Sequence, residues 1–91
     1  MTEVVNINYE YCDVFIGRPS KWGNPFKIGT DGTRTEVIKL YRKHVIDSGL
    51  INDIGDLRDK KLGCFCKPKA CHGDVLVELC NDNLELDIME L

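Results

Sequence analysis

The spacing of apolar residues predicts a helix that begins after Thr33, and this is the clearest element of the chain. Val37, Tyr41 and Val45 recur every four residues, so they lie on one helical face. Thr33 and Glu36 have the spacing of a capping box, in which the threonine is the N-cap and the glutamate bonds back to it. The apolar face and the capping residues therefore predict the same helix.

Short apolar runs on either side of this helix predict strands and further helical turns. The strands cover Val4–Asn8, Asp13–Ile16 and Leu62–Cys66, and the helical segments cover Leu50–Leu57 and Asp74–Cys80. We expect the first two strands to pair with each other through the connection 9–12. The order strand, helix, strand, helix predicts a right-handed βαβ unit around a parallel pair. The predicted fold class is α/β, a small Rossmann-like domain of two or three layers with a central βαβ unit and a short mixed sheet.

The length of the chain bounds its domain organisation. With 91 residues, it is expected to form a single domain with one modest core, which we place at residues 4–80. In the remaining segment, 81–91, Leu84, Leu86 and Ile88 alternate with acidic residues. This pattern is typical of an edge strand, and it also fits a frayed acidic tail.

Composition and charge narrow the class of protein. Hydrophobic residues make up 43% and charged residues 30%, as in ordinary globular domains. The formal net charge of -3 gives no global attraction for a polyanion. No apolar run reaches the roughly 20 residues of a membrane span, and the first residues lack the basic flank of a secretory signal. We therefore expect a cytoplasmic protein with no membrane partner.

Three of the five cysteines, Cys64, Cys66 and Cys71, lie within eight residues. An odd count without a secretion signal argues against a disulfide scaffold and for a metal site or a reactive thiol. Cys64 and Cys66 alternate along a predicted strand, so they point the same way. Cys71 and His72 precede the last helix. Because open parallel sheets bind ligands at the carboxyl ends of their strands, we expect this turn to form a site.

Three interpretations of the cysteine–histidine turn stay open. In the first, Cys71 is a low-pKa thiolate at a helix N-terminus, His72 is its acid–base partner and Asp74 is the third catalytic residue. In the second, Cys64, Cys66, Cys71 and His72 bind zinc, although their spacing is tighter than in familiar zinc sites. In the third, the cysteines are buried filling and His72 and Asp74 cap the helix. No cofactor is favoured, and zinc is the alternative.

The second candidate segment is the loop 17–32, which is long for so small a domain. Its predicted ligand-binding residues are Arg18, Ser20, Lys21, Trp22 and Asn24, together with Cys64 and Cys66 of the turn. Arg18 offers a bidentate fork for phosphate or carboxylate. Trp22 offers a stacking face, and Asn24 can donate and accept hydrogen bonds. The competing interpretation buries Trp22 in the core beneath the loop.

The two segments resemble a known family. Phe15–Arg18, Lys21–Phe26, Gly63–Pro68 and Cys71–Leu76 are similar to motifs of domain-of-unknown-function family 4326, which occurs in bacteria and their viruses. The likeness runs from about Val14 to Cys80. The cysteine–histidine element is also similar to that of domain-of-unknown-function family 488. The resemblance implies that loop and turn form one site, and it names no reaction. The residues carried over are Arg18, Trp22, Asn24, Cys64, Cys66, Cys71, His72 and Asp74.

The leading functional hypothesis is a strand-end pocket for a small molecule, a nucleotide or nucleoside derivative, with Cys71 and His72 available for chemistry. Whether any reaction is catalysed stays open, as does the oligomeric state. One alternative is a zinc-stabilised module that binds nucleic acid or protein. Another is a phage accessory protein that binds a host factor, and its compartment would then be the host cytoplasm.

Overall fold

The centre of the fold is a parallel sheet of three short strands. The computed structural model describes residues 2–67 and 69–90, and within 82–90 it describes the backbone only. The strands are β1 (Glu3–Asn6), β2 (Val14–Phe15) and β3 (Lys61–Cys64). The helical elements are α1 (Arg34–Asp47), a 3₁₀ helix (Leu50–Leu57) and α2 (His72–Glu90). Mixed helix and strand content with a parallel sheet confirms the α/β class.

The strand order is β1-β3-β2, so β3 is the central strand. β1 pairs with β3 in parallel, with Glu3 opposite Lys61, and β2 pairs with β3 in parallel, with Val14 opposite Leu62. The prediction that the first two strands pair with each other was wrong, and every described strand pair is parallel instead of mixed. The reason is burial: β3 is covered on both faces from Leu62 onward, which suits a central strand.

The connection 7–13 crosses one face of β3 directly over Gly63. It leaves the carboxyl end of β1, where Ile7 donates its N–H to Cys64 O. It returns to the other end of β3, where Asp13 donates its N–H to Lys61 O. A Cβ on residue 63 would lie 2.5 Å from Ile7 Cγ2 and 2.5 Å from Cys12 Sγ. The glycine therefore provides the room that lets two parallel strands be joined by so short a connection.

α1 has the predicted capping residues and the predicted buried face. Glu36 donates its N–H to Thr33 Oγ1 over 3.2 Å, and Thr33 donates its N–H to Glu36 Oε1 over 2.9 Å. Val37, Tyr41 and Val45 are buried. Because α1 connects the adjacent parallel strands β2 and β3, the predicted βαβ unit is confirmed.

The ends of the later elements differ from the prediction. β3 ends at Cys64 instead of Cys66, and α2 begins at His72 instead of Asp74. The predicted buried face of α2, formed by Val75, Leu76 and Leu79, is confirmed. The backbone of α2 continues through the segment predicted as an edge strand or acidic tail and ends at Glu90, and residue 91 lies outside the described residues.

The helices lie on the face of the sheet opposite the 7–13 connection, which gives two layers. Leu62 and Cys64 of β3 are packed in one core cluster with Tyr41 of α1, Leu57 of the 3₁₀ helix and Leu76 of α2. A Rossmann-like relationship stays a prediction. Within the described part of the chain, we find no helix with the length and apolar character that a membrane span requires.

Candidate functional site

A cavity of about 710 Å³ lies where β2 and β3 end. It is lined by the loop after β2, the first turns of α1 and the segment between β3 and α2. These lining residues are Phe15, Gly17, Arg18, Asn24, Phe26, Lys27, Ile28, Arg34, Val37, Ile38, Cys64, Phe65, Cys66, Ala70, Cys71 and His72. The two segments singled out in the sequence therefore share one cavity, at the strand ends where parallel sheets place ligands.

The thiols of Cys64, Cys66 and Cys71 form a cluster in the wall of this cavity. Their sulfur atoms all lie within 4.8 Å of one another, and the Sγ atoms of Cys64 and Cys71 are 3.4 Å apart. Cys64 and Cys71 are buried, and Cys66 is half-buried. Three thiols this close together could hold a metal ion.

Cys71 directly precedes α2, whose first residue is His72. Its Sγ accepts a hydrogen bond from Gly73 N–H over 3.3 Å, and its own N–H donates to Asp74 Oδ2 over 3.2 Å. Burial, and then the neighbouring Cys64 thiol, raise the pKa of Cys71 to about 12. The hydrogen bond from Gly73 acts in the opposite direction and is outweighed. This direction is the reverse of the low pKa expected for a thiol at a helix N-terminus.

Asp74 has the helix-capping position of the third interpretation. Its carboxylate is engaged with the backbone of Cys71, as the acidic partner of a capping box is. It is exposed, and it is not one of the residues that line the cavity. Its predicted catalytic role therefore gains no support from its position.

His72 lines the cavity but lies outside the group of clustered sulfur atoms. Its Nε2 is 2.7 Å from Ile16 O. Because a carbonyl oxygen only accepts, this nitrogen carries the proton and donates. Burial is the main cause that lowers the pKa of His72, and Arg18 lowers it further. The neutral ring thus links α2 to the residue that follows β2, and the four-ligand zinc set of the sequence analysis is not assembled in this geometry.

Trp22 is a core residue, with 4% of its surface exposed. Its carbonyl accepts a hydrogen bond of 2.6 Å from the buried hydroxyl of Tyr41. The Tyr41 ring also packs edge-on to His72, with 5.0 Å between ring centroids. The structure favours the interpretation that buries Trp22 beneath the loop, since its side chain belongs to the core cluster and Lys21 Nζ lies over its ring, 5.3 Å from the centroid. Its predicted stacking on a ligand gains no support from this position.

Replacing Tyr41 by phenylalanine is expected to lower the free energy of unfolding by about 1–3 kcal/mol, because the buried Trp22 carbonyl loses its donor. Urea denaturation of the variant measures the change. The matched control is Tyr11→Phe, since Tyr11 is 78% exposed; its effect should stay within about 0.5 kcal/mol. Equal stabilities for the two variants would contradict the role assigned to the hydroxyl.

Of the four other predicted loop residues, two line the cavity, Arg18 and Asn24, and two lie away from it. Asn24 lines the cavity, but its side chain donates to Val37 O over 3.2 Å and accepts from Phe26 N–H over 2.9 Å. Lys21 pairs with Asp53 at 3.1 Å. Ser20 Oγ is buried with no hydrogen-bond partner within the described ranges. Neither Ser20 nor Lys21 lines the cavity.

Sequence reasoning missed two cations of the cavity wall, Lys27 and Arg34. Arg34 lies in the first turn of α1, and its guanidinium donates to Ala70 O over 2.9 Å, which links α1 to the cysteine turn. The signal was its position: a helix that follows β2 begins at the same sheet edge as the cysteine turn. With Arg18, these residues make the wall cationic, and no carboxylate is among its described lining residues.

Comparison with known proteins places the chain in a family. The sequence profile of the family described as Domain of unknown function (DUF4326) matches residues 4–82. The chain belongs to this family. The DUF4326 profile covers the loop, the cysteine turn and the start of α2, so the whole cavity wall lies inside the family domain.

Two viral relatives of this DUF4326 chain are similar over most of its length. "Uncharacterized protein R718" of Acanthamoeba polyphaga mimivirus is 37% identical over 86 residues, 75% of this chain and 66% of that protein. "Uncharacterized 12.4 kDa protein in nrdA-td intergenic region" of Enterobacteria phage T4 is 40% identical over 87 residues, 89% of this chain and 79% of that protein. The chain thus spans just under two thirds of the mimivirus protein. No solved structure matches it.

Proposed function

We propose that this domain binds a small anionic molecule with a planar ring, a nucleotide or nucleoside derivative, in the cavity at the strand ends. The observation that carries the proposal is the joint presence of Arg18, Lys27 and Arg34 on a wall with no described carboxylate. A ligand at the carboxyl ends of parallel strands also matches the Rossmann-like class predicted from the sequence.

The cations suit a phosphate or carboxylate group. Neither Arg18 nor Lys27 forms an ion pair with a carboxylate in the part of the chain that the structure describes. Arg34 has one donor engaged with Ala70 O, which fixes the direction of its guanidinium. Hydrogen bonds between a guanidinium and phosphate are charge-assisted and often bidentate. The wall therefore offers an anion one cation that is held by a backbone carbonyl and two that form no ion pair among the described residues.

An aromatic surface for a planar ring is provided by Phe65, which takes the place that the sequence analysis gave to Trp22. Phe65 is 60% exposed and lines the cavity. Its ring meets Phe15 edge to face, with centroids 6.0 Å apart. Such a contact restrains the Phe65 ring and leaves part of it available for stacking. The cavity volume of about 710 Å³ lies within the range usual for small-molecule sites.

The proposal is binding, and it includes no reaction at Cys71 and His72. A thiol whose pKa is raised to about 12 remains protonated near neutral pH and is a poor nucleophile. The imidazole Nε2 is engaged with Ile16 O, which removes it as a base at that atom. Both residues then serve as wall and support of the cavity.

Calorimetric titration with nucleoside mono-, di- and triphosphates and with the parent nucleosides tests the proposal. The phosphorylated ligands are expected to bind more tightly than the nucleosides. Arg18→Gln is expected to weaken nucleotide binding roughly ten- to hundredfold, the equivalent of about 1.5–3 kcal/mol for a lost charge-assisted hydrogen bond. A rise in salt should weaken binding in the same direction.

The matched control is Lys43→Gln, because Lys43 is an exposed cation of α1 outside the cavity. It removes the same charge and should leave nucleotide affinity unchanged. If Arg18→Gln and Lys43→Gln lose the same amount of nucleotide affinity, the effect comes from net charge alone, and the proposed site is contradicted. Absence of binding for every nucleotide tested would contradict the proposed function itself.

The second candidate is a zinc-stabilised module for nucleic acid or protein, and the thiol cluster is the observation that favours it. Single-stranded oligonucleotides distinguish the two candidates. A module should bind them with an affinity that grows with strand length, whereas the cavity should take a mononucleotide nearly as well as a longer strand. Capture of a host protein in the host cytoplasm would be the outcome that favours the accessory-protein hypothesis.

A further inference from the structure

We infer that Cys64, Cys66 and Cys71 form a three-thiolate site for a soft divalent metal ion such as Zn²⁺, with a fourth coordination position that opens into the cavity. The inference goes beyond the proposed ligand site, since it concerns the metal alone and needs no nucleotide. It also differs from the four-ligand set considered from the sequence, because His72 is not a ligand.

The separation of the sulfur atoms fits tetrahedral coordination. With Zn–S bonds of about 2.3 Å, two thiolates of one tetrahedral centre lie about 3.8 Å apart. The Sγ atoms of Cys64 and Cys71 are 3.4 Å apart, and no pair of the three sulfur atoms exceeds 4.8 Å. Shifts of less than about one ångström therefore bring the three atoms to the distances of a metal centre.

The backbone holds two of these ligands before any metal arrives. Cys64 ends the central strand β3, and Cys71 directly precedes α2, where it accepts the N–H of Gly73. Cys66 follows β3 in a turn in which its carbonyl accepts Lys69 N–H over 2.7 Å. Two ligands on fixed elements and a third on a short turn make a largely preorganised set.

The surroundings suit the charge of such a site. A divalent ion with three thiolates has one net negative charge, and Arg18, Lys27 and Arg34 line the same cavity. The N–H of Gly73 already donates to Cys71 Sγ over 3.3 Å, and metal binding displaces the proton of this buried thiol. No described carboxylate of the cavity wall competes as a hard ligand.

A three-ligand site leaves one position for water or an exogenous donor. His72 does not fill it, because its Nε2 donates to Ile16 O and its ring lies outside the sulfur group. Cys66, the half-buried member, faces the same cavity as its two buried partners. The metal can therefore enter from the cavity, and the open position points back into it.

Titration of the reduced, metal-free chain with Co²⁺, followed by displacement with Zn²⁺, tests the inference. We expect one ion per chain, with thiolate-to-metal charge-transfer absorption and the intense visible bands of a tetrahedral centre. Added imidazole should shift the visible bands, since it occupies the open position. Cys66→Ser is expected to weaken metal binding at least about tenfold, and far-UV circular dichroism confirms that this variant is folded.

Two variants separate this site from the alternatives. Cys12→Ala removes a half-buried thiol outside the cluster and should retain the affinity. His72→Gln should also retain the metal affinity. A loss of metal affinity in this variant would restore the four-ligand set and overturn the inference. The inference is equally overturned if the folded chain binds no metal, or if Cys66→Ser binds it as tightly as the parent. If added imidazole leaves the visible Co²⁺ bands unchanged, the inference of an open coordination position is overturned.

Discussion

Replacing Gly63 by valine is expected to lower the free energy of unfolding by about 3 kcal/mol or more, the upper part of the range for overpacked sites. A Cβ at this position meets Ile7 Cγ2 and Cys12 Sγ, both at 2.5 Å. It also meets Cys12 Cβ at 2.7 Å, and this atom is attached to the backbone of the connection that crosses β3, so it cannot withdraw without moving the link between β1 and β2. The two methyl groups of valine add to the clash. The free energy of unfolding of Gly63→Ala should therefore lie between those of the parent chain and Gly63→Val.

Urea denaturation of Gly63→Val and of a matched glycine variant measures this effect. Gly55, in the 3₁₀ helix, has no atom within 4 Å of an added Cβ. Gly55→Ala should therefore change the stability by no more than about 1 kcal/mol, in either direction. If Gly63→Ala and Gly55→Ala prove equally stable, the connection does not cross the strand at residue 63.

Replacing Leu76 by alanine is expected to cost about 2–5 kcal/mol, the range for a large side chain removed from a packed core. Leu76 is fully buried on α2, in the same cluster as Tyr41 and Leu62. It lies between the first helix and the central strand, so the vacated space has walls on several elements and does not collapse easily.

Thermal and urea unfolding of Leu76→Ala measure this cost, and Leu40→Ala is the control. Leu40 is a leucine of α1 that is 36% exposed, and its truncation should cost well under about 2 kcal/mol. A loss for Leu76→Ala no larger than that of Leu40→Ala would show that α2 is not packed on the sheet as described. Such a result would also remove the support for the position of Cys71.

The nucleotide and metal proposals use the same cavity but fail separately. Nucleotide binding measured with a chelator present depends on Arg18 and its neighbouring cations. Metal binding measured without nucleotide depends on Cys66 and its neighbouring thiols. If metal binds and nucleotides do not, the cations serve to balance the thiolate charge. If nucleotides bind and metal does not, the thiols are part of an apolar wall.

The sequence predicted features that depend on neighbours along the chain. The capping box of Thr33 and Glu36 joins residues three apart, and the buried face of α1 follows from a spacing of four. The cysteine turn was placed at a strand end for the same reason, since strand, turn and helix follow each other directly. Local hydrogen bonds and periodic burial depend on residues that are close together in the chain. The predictions that rest on them, the cap and the buried face of α1, are confirmed.

The errors concern contacts between distant segments. Trp22 lies in a loop whose residue types suit ligand binding, yet its side chain is buried in the core and its carbonyl accepts a hydrogen bond from Tyr41 of α1. Arg34 belongs to none of the segments that the sequence singled out, and its hydrogen bond to Ala70 O gives it a place in the cavity wall. No pattern near either residue contains this information.

Patterns within short segments predict the α/β class, the helix α1 with its cap, and the gathering of cysteines at a strand end. The strand order, which excludes pairing of β1 with β2, depends on contacts between distant segments. So does the thiol cluster, which contains Cys64, Cys66 and Cys71 and leaves His72 outside. The physical reason is that periodicity fixes which side of an element is apolar. Which element then covers that side is fixed by packing, and one glycine at the crossing of β3 makes that packing possible.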